Sequence, residues 1–386
     1  MKSFYCLIIS LSIHLCGYAI LPTQFHFRHY NIENGVSSNN ISTLFQDQKG
    51  YIWIGTENGL NRFDGNQFTL YQKNNPLYSN FHANSINTIC ETTDKKLWLG
   101  TDNGVFIYNQ VKDTFTPFVK QTSDKTSITS WITHIIQDKA GNIWIATHKQ
   151  GIFLYNTQTN KLTQFEIPQN DNIVIRILND EQNNIWLSGP YQLCKLNKVN
   201  NTFETYTIEG ETEGVYSMAL WEDNSHYIWI GTWDKGLWKL DPQTKQVEKY
   251  LTGEKGKGIL HIHSILEYSP ELLLIGSDDG LTIFNPVTHE SFLYDNYGDS
   301  EKSLSDKFIY PILKDREGGV WIGTYYNGIS YLPPTADSST ATPNPATFLT
   351  STVELSAVSV KEKMEISGLH PMIQDSVASI LPQCNF

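Results

Sequence analysis

Few residues of this chain are placed to do covalent chemistry. His261 and His263 form an HxH pair that could supply two metal ligands, but no third ligand is apparent. Two histidines at strand spacing on one sheet face are expected to point to solvent. Asp47, Asp94, Asp138, Asp180 and Asp315 recur near equivalent turns. That recurrence assigns them to turn formation, where a carboxylate caps backbone N–H groups, and not to catalysis. No GxSxG, HExxH, P-loop or Rossmann glycine pattern occurs. The five cysteines, Cys6, Cys16, Cys90, Cys194 and Cys384, show no CxxC spacing, so neither a disulfide framework nor a zinc site is indicated. No catalytic residue, metal or cofactor is therefore expected.

The residues suited to binding lie in a repeated scaffold. The unit is clearest as Ile41–Asp47, then Gly50–Thr56, then Gly59–Asp64. It recurs around Trp98, Trp144, Trp186, Trp229 and Trp321, with Leu273 in the Trp slot of one further copy. Spacings of 45, 46, 42, 43, 44 and 48 residues separate the seven anchors. A period near 45 with four short strands per unit is that of a propeller blade. The expected fold is all-β: a seven-bladed β-propeller over residues 20–332. The Trp of each copy should pack between neighbouring sheets, and the Gly two residues later should allow close backbone approach.

A ring of sheets must hide its last edge. Phe25–Tyr30 resembles the fourth strand of the other units, and the seventh unit stops after its third strand at Leu332. Residues 25–30 are therefore expected to pair beside 329–332.

In such a ring the loops joining second to third strands share one face with the connections joining fourth strands to the next first strands. Residues varying between copies lie there, where a repeat scaffold carries function. The second-to-third loops offer His148, Tyr191, Trp233, Asp234, Tyr325 and Tyr326; the connections offer Trp131, Tyr216, His261 and Lys307. Trp and Tyr can stack on sugar rings while Asp and His bond hydroxyls. The same aromatics could instead pack locally or face another domain.

The pattern [IL]-W-[IL]-G-T-x-x-G-[LV] after a D-x-x-G turn resembles the two-component regulator propeller repeat over residues 25–332. The opening YNIENGVSSNNISTLFQDQKGYIWIGTENGLNRFDG resembles the start of the periplasmic sensor region of Bacteroidetes hybrid two-component systems. The resemblance implies an oligosaccharide ligand. It also implies partners in the intact family: a second propeller, a β-sandwich domain and a membrane-anchored histidine kinase dimer. Kinase motifs are absent from this sequence, so a sensor module lacking its kinase is expected rather than an enzyme. The alternatives are a propeller enzyme of the polysaccharide or antibiotic lyase type and a protein-interaction scaffold.

Composition agrees with an exported protein that avoids nucleic acid. The net charge is −12 over 386 residues, without the clustered Lys/Arg that phosphate contacts need. Met1-Lys2 and the apolar run Phe4–Ile20 predict a signal peptide over 1–19 and a periplasmic product, with an uncleaved anchor as the alternative. All 30 Trp and Tyr residues lie in 1–332, whereas 333–386 is rich in Ser, Thr and Pro and has no blade signature. That tail is expected to be unstructured. Residues 363–375 can be back-translated so that a reading two bases later encodes NGNIWIASDDTG, its Trp about 46 positions after Trp321. The tail is thus expected to be a frameshift product and the chain a truncated form.

Overall fold

The computed structural model describes residues 25–334, apart from 74, 79, 169–171, 191, 207, 209–215, 254–258 and 260. The expected signal peptide, Tyr191 and the tail from 335 onward lie outside the described residues. What is described is a ring of seven four-stranded antiparallel sheets.

Blade 1 shows how one copy folds. Its strands are Ile41–Gln46, Ile52–Thr56, Gly59–Phe63 and Phe68–Tyr71, paired in sequence order. β-branched and aromatic residues fill the strands, and the Asp47–Gly50 and Asp64–Gln67 turns are closed by Asp carboxylates that accept backbone N–H groups. The innermost strands of blades 2 to 6 are Ile86–Glu91, Ile132–Gln137, Arg176–Asn179, Ser217–Glu222 and Ser264–Ser269. Blade 7 holds Ile309–Lys314, Val320–Thr324 and Ile329–Leu332, and its fourth strand is Arg28–Tyr30.

The closure is as the sequence implied. Arg28 pairs with Tyr331, His29 with Ser330 and Tyr30 with Ile329. Tyr30 stacks on Trp321, while Phe25 and Phe27 bury themselves against Tyr294. The N-terminal strand therefore completes blade 7, so every sheet of the ring has four strands.

Each Trp of the series packs against the next blade. Trp53 clusters with Ile86, Leu97 and Leu99, and Trp98 with Ile132, Ile143 and Ile145. The indole also has a polar partner that repeat spacing alone did not reveal. Trp53, Trp144, Trp186, Trp229 and Trp321 donate Nε1–H to Asp47, Asp138, Asp180, Asp223 and Asp315, at 2.8–2.9 Å. Each acceptor lies six residues upstream. Asp94 does not belong to this series: it is four residues before Trp98, and Thr92 holds the turn position. Asp94 instead pairs with Lys96 at the surface.

Five blades carry Gly at the slot two residues after the Trp position, and there it is sterically required, whereas blades 3 and 4 carry Ala146 and Ser188. A Cβ on Gly55 would sit 2.4 Å from Thr43 Cγ2 and 2.6 Å from the Ile86 carbonyl oxygen of the next blade. Gly100, Gly231, Gly276 and Gly323 meet Ile132, Ile262, Ile309 and Ile41 in the same way. Glycine lets the inner strand of the next blade approach closely.

Side chains also bolt the blades together. On the lower side, in blades 1 to 4 and 7, an N–H in the turn is accepted by the last inner-strand side chain of the next blade. Gln48 N–H bonds Glu91, Thr93 N–H bonds Gln137, Lys139 N–H bonds Asn179, Glu181 N–H bonds Glu222, and Arg316 N–H bonds Gln46. Near the axis, Ser42, Asn87 and Thr133 donate to the carbonyls of Ile86, Ile132 and Val174. These three residues sit at β-bulges or at the matching position, which turns their side chains along the inner edge.

Candidate functional site

The upper face carries the second-to-third loops and the fourth-to-first connections. In blades 3, 5 and 7 one backbone bond ties the two together. His148 N–H donates to the Trp131 carbonyl, Trp233 N–H to Tyr216 and Tyr325 N–H to Phe308, at 2.9, 2.9 and 3.1 Å. This bond places loop and connection aromatics side by side.

On blades 5 to 7 those pairs join into one arc. The Tyr216 and Trp233 ring centroids are 5.4 Å apart, and Trp233 and His261 are 3.8 Å apart. His261 N–H donates to the Trp233 carbonyl at 2.7 Å, with His261 in the left-handed region at φ 55°. The imidazoles of His261 and His263 converge on one carboxylate: Nδ1 of His261 lies 2.5 Å from Asp278 Oδ2, and Nε2 of His263 lies 2.8 Å from Oδ1. His263 stacks on Tyr310 at 4.0 Å. Tyr310 leads to Tyr325 at 5.3 Å, Tyr325 to Tyr326 at 4.7 Å, and Tyr326 to Phe308 at 5.5 Å. Trp233, Tyr325 and Tyr326 remain 39, 36 and 58% exposed, so the arc is a surface and not a core.

Electrostatics fix the protonation of this cluster. Burial raises Asp278, but hydrogen bonds from His263 and then His261 outweigh it and hold the carboxyl below its ordinary value. An ionised carboxylate only accepts, so His261 carries its proton on Nδ1 and His263 on Nε2. Burial lowers the His263 pKa; Asp278 works against that and Arg176 with it. Burial pushes Tyr310 up to about 12, with Asp278, Tyr325 and Tyr326 adding to the shift. At neutral pH the arc therefore presents aromatic faces, a phenol O–H and one carboxylate held by two imidazoles. Ring faces can stack on a flat apolar surface such as a pyranose, and the polar groups can bond its hydroxyls.

The sequence-based residues separate into two groups. Tyr216, Trp233, His261, Tyr325 and Tyr326 join the arc, and exposed Asp234 follows Trp233. Lys307 lies over the Phe308 ring at its edge. Trp131 and His148 form a separate pair 6.1 Å apart on blade 3, and among the described residues no ring contact or hydrogen bond links either to the arc. The expectation that His261 and His263 form a solvent-facing pair is corrected: His263 is 7% exposed and its polar edge is held by Asp278. Sequence reading missed Phe308, Tyr310 and Asp278, and took His263 for a solvent-facing side chain. Tyr310 and His263 occupy the same place in their blades as Ser42, and aligning that one position would have singled them out. Among the described residues no group of three or more His, Cys, Asp or Glu is arranged to hold a metal ion.

Comparison with known proteins agrees with the geometry. Residues 35–58, 80–103, 126–149 and 303–326 match the family described as two component regulator propeller. Four stretches of this seven-bladed propeller are thus similar to two-component regulator propeller repeats. It is similar to the extracellular domain assigned to a hybrid two component system of B. thetaiotaomicron, at 25% identity and a TM-score of 0.69 over 81% of this chain and 42% of that one. A stretch of 54 residues is 39% identical to Histidine kinase P4 of Formosa agariphila, covering 14% of this chain and 4% of the kinase. The chain thus spans less than half of either protein. The virginiamycin B lyase of Staphylococcus aureus superposes with a TM-score of 0.61 over 81% of this chain and 100% of the lyase, but at 14% identity, a likeness of fold alone. Among the described residues no helix is long and apolar enough to cross a membrane.

Proposed function

We propose that this propeller is the ligand-sensing module of a two-component signalling system, working in the periplasm after export by its N-terminal signal peptide, and that the arc on blades 5 to 7 binds an oligosaccharide. The observation that carries the reading is the run from Tyr216 through Trp233 to His261, bridged by Asp278 to His263 and continued through Tyr310 and Tyr325 to Tyr326. A run of ring faces flanked by fixed hydrogen-bonding groups suits several linked sugars better than one small polar molecule. Signal output then falls to partners of the kind found in the intact systems: a second propeller, a β-sandwich domain and a membrane-anchored kinase dimer. The module itself carries out no reaction on its ligand.

Calorimetric titration of the protein with a panel of plant and host glycan oligosaccharides tests this reading. Saturable binding of at least one member is expected, weakened at least tenfold by Trp233→Ala, with the saccharide recovered intact by chromatography. Silence across the panel contradicts the sensor reading and favours a protein-interaction scaffold. Cleaved product in the recovered fraction favours a lyase-type enzyme.

A further inference from the structure

Blade 4 breaks the repeat on its upper side at several positions at once. Where the other blades carry Gly55, Gly100, Ala146, Gly231, Gly276 and Gly323, blade 4 has Ser188; strand pairing places Leu274, not Leu273, in the Trp slot of blade 6. Where six carry a Thr or Ser whose hydroxyl donates to the carbonyl of the loop glycine, blade 4 has Gly189, and Gln192 replaces that glycine. Twelve residues before the Trp slot six blades carry Ile or Val, at Ile41, Ile86, Ile132, Val174, Ile262 and Ile309, but blade 5 has Ser217.

The inner strand of blade 4 departs as well. In blades 2 and 3 the third side chain of that strand accepts an N–H from the next blade: Thr88 Oγ1 from Ile135, and His134 Nδ1 from Ile177. Arg176 holds the matching place in blade 4, and a guanidinium can only donate. Arg176 pairs across the strands with Ser188, and Gly189 with Gln192. Because the Gly at this slot in other blades faces the residue twelve before the Trp slot of the next blade, Ser188 is directed toward Ser217.

None of these polar groups is satisfied by the protein. Ser188 Oγ, Ser217 Oγ and both amide atoms of Gln192 are buried without a hydrogen-bond partner, in residues only 1, 1 and 4% exposed. Among the described residues the Arg176 guanidinium forms no ion pair or hydrogen bond, and burial alone lowers its pKa with no carboxylate acting on it. The nearby imidazoles do not compete as cations. Burial first, and then Arg176, pushes His134 down to about 3, and His263 is lowered as well. Buried polar groups in native proteins are almost always paired, so an unpaired cluster at one junction of a regular repeat needs a reason.

We propose that the junction of blades 4 and 5 binds one anionic group of the ligand, a carboxylate or sulfate, through Arg176 with Ser188, Ser217 and Gln192 as neutral partners. A planar guanidinium suits a two-oxygen anion and forms its strongest hydrogen bonds to one. The site adjoins the aromatic arc, because Tyr216 directly precedes Ser217. This names the ligand class as an acidic oligosaccharide; the saccharide part rests on the function proposed above, and the anion part stands on the junction alone.

The test titrates the full chain, at matched ionic strength, with inorganic sulfate, a uronate disaccharide, a sulfated disaccharide and a neutral disaccharide. The wild type should bind at least one acidic disaccharide tenfold or more tighter than the neutral one. Arg176→Gln should lose that preference and leave neutral binding unchanged, and the two acidic sugars separate carboxylate from sulfate. Ser217→Ile restores the residue type of the other blades; it should fold and lose the same preference, which keeps the test open if Arg176→Gln does not fold. Arg176-dependent sulfate binding with no saccharide bound would support the anion site and overturn the oligosaccharide reading. Equal binding of acidic and neutral sugars by the wild type and both variants would overturn the anion site alone. Failure of every anion to bind would also overturn it.

Discussion

The indole of Trp233 lies against the imidazole of His261, with ring centroids 3.8 Å apart, although the two belong to neighbouring blades. The contact is enforced by the backbone, since the His261 N–H donates to the Trp233 carbonyl. It leaves Trp233 39% exposed, so its open face is available to a ligand. Trp233→Ala is expected to weaken oligosaccharide binding at least tenfold, with stability changed by less than about 1 kcal/mol, as is usual for exposed positions. Trp131→Ala, on the separate blade 3 pair, should leave affinity unchanged. Calorimetry on both variants checks this; equal losses would mean that the whole upper face, and not the arc, binds.

The Asp–Trp bonds make a sharp prediction about stability. Asp47 is fully buried and accepts from Lys49 N–H, Tyr51 N–H and the Trp53 indole. Asp47→Ala leaves those donors unpaired and should cost about 2–4 kcal/mol in chemical denaturation. Asp94→Ala removes only a surface pair with Lys96 and should cost under about 1 kcal/mol. Similar losses at the two sites would refute the distinction.

Ring closure rests on the N-terminal segment. Phe27 is 2% exposed and packs against Phe25 and Tyr294 beside the strand Arg28–Tyr30. Phe27→Ala should destabilise the protein by about 3–5 kcal/mol, the usual cost of emptying a buried Phe site. A loss below about 1 kcal/mol in equilibrium denaturation would show that the segment does not seal the ring.

Acid should weaken the fold before carboxylates titrate. His134 is held down to about 3 in the folded state, chiefly by burial, and His263 is lowered too. Between those values and the unfolded value of about 6.5 the unfolded chain binds more protons, so stability falls as pH drops below about 6.5. One such histidine contributes a slope of at most about 1.4 kcal/mol per pH unit. Asp278, lowered by its two histidines, adds a further loss below the ordinary carboxyl range. His134→Asn keeps an acceptor for the Ile177 N–H and should flatten the slope between pH 6 and 4. An unchanged slope would count against this assignment.

The blade count and the closure were readable because each depends on a local repeated signal: the Trp slot with its following Gly, and the strand-like Phe25–Tyr30. The indole partner was half visible, since the six-residue spacing from Asp47 to Trp53 recurs, but turn chemistry alone explained those aspartates. Asp94 was grouped with them because turn residues look alike in sequence. Tyr310, Asp278 and the inward orientation of His263 were hidden for another reason. His263 and Asp278 lie at the ends of two paired strands of blade 6 and Tyr310 in blade 7, so their contacts form only when the sheet is paired and the neighbouring blade is packed against it.

Hydroxyl-radical footprinting of the protein with and without a bound oligosaccharide tests the ligand-face assignment most directly. Protection is expected at Trp233, Tyr325 and Tyr326, with Trp131 unchanged. Protection confined to Trp131 or to the lower side of the ring, with the arc still reactive, would contradict it.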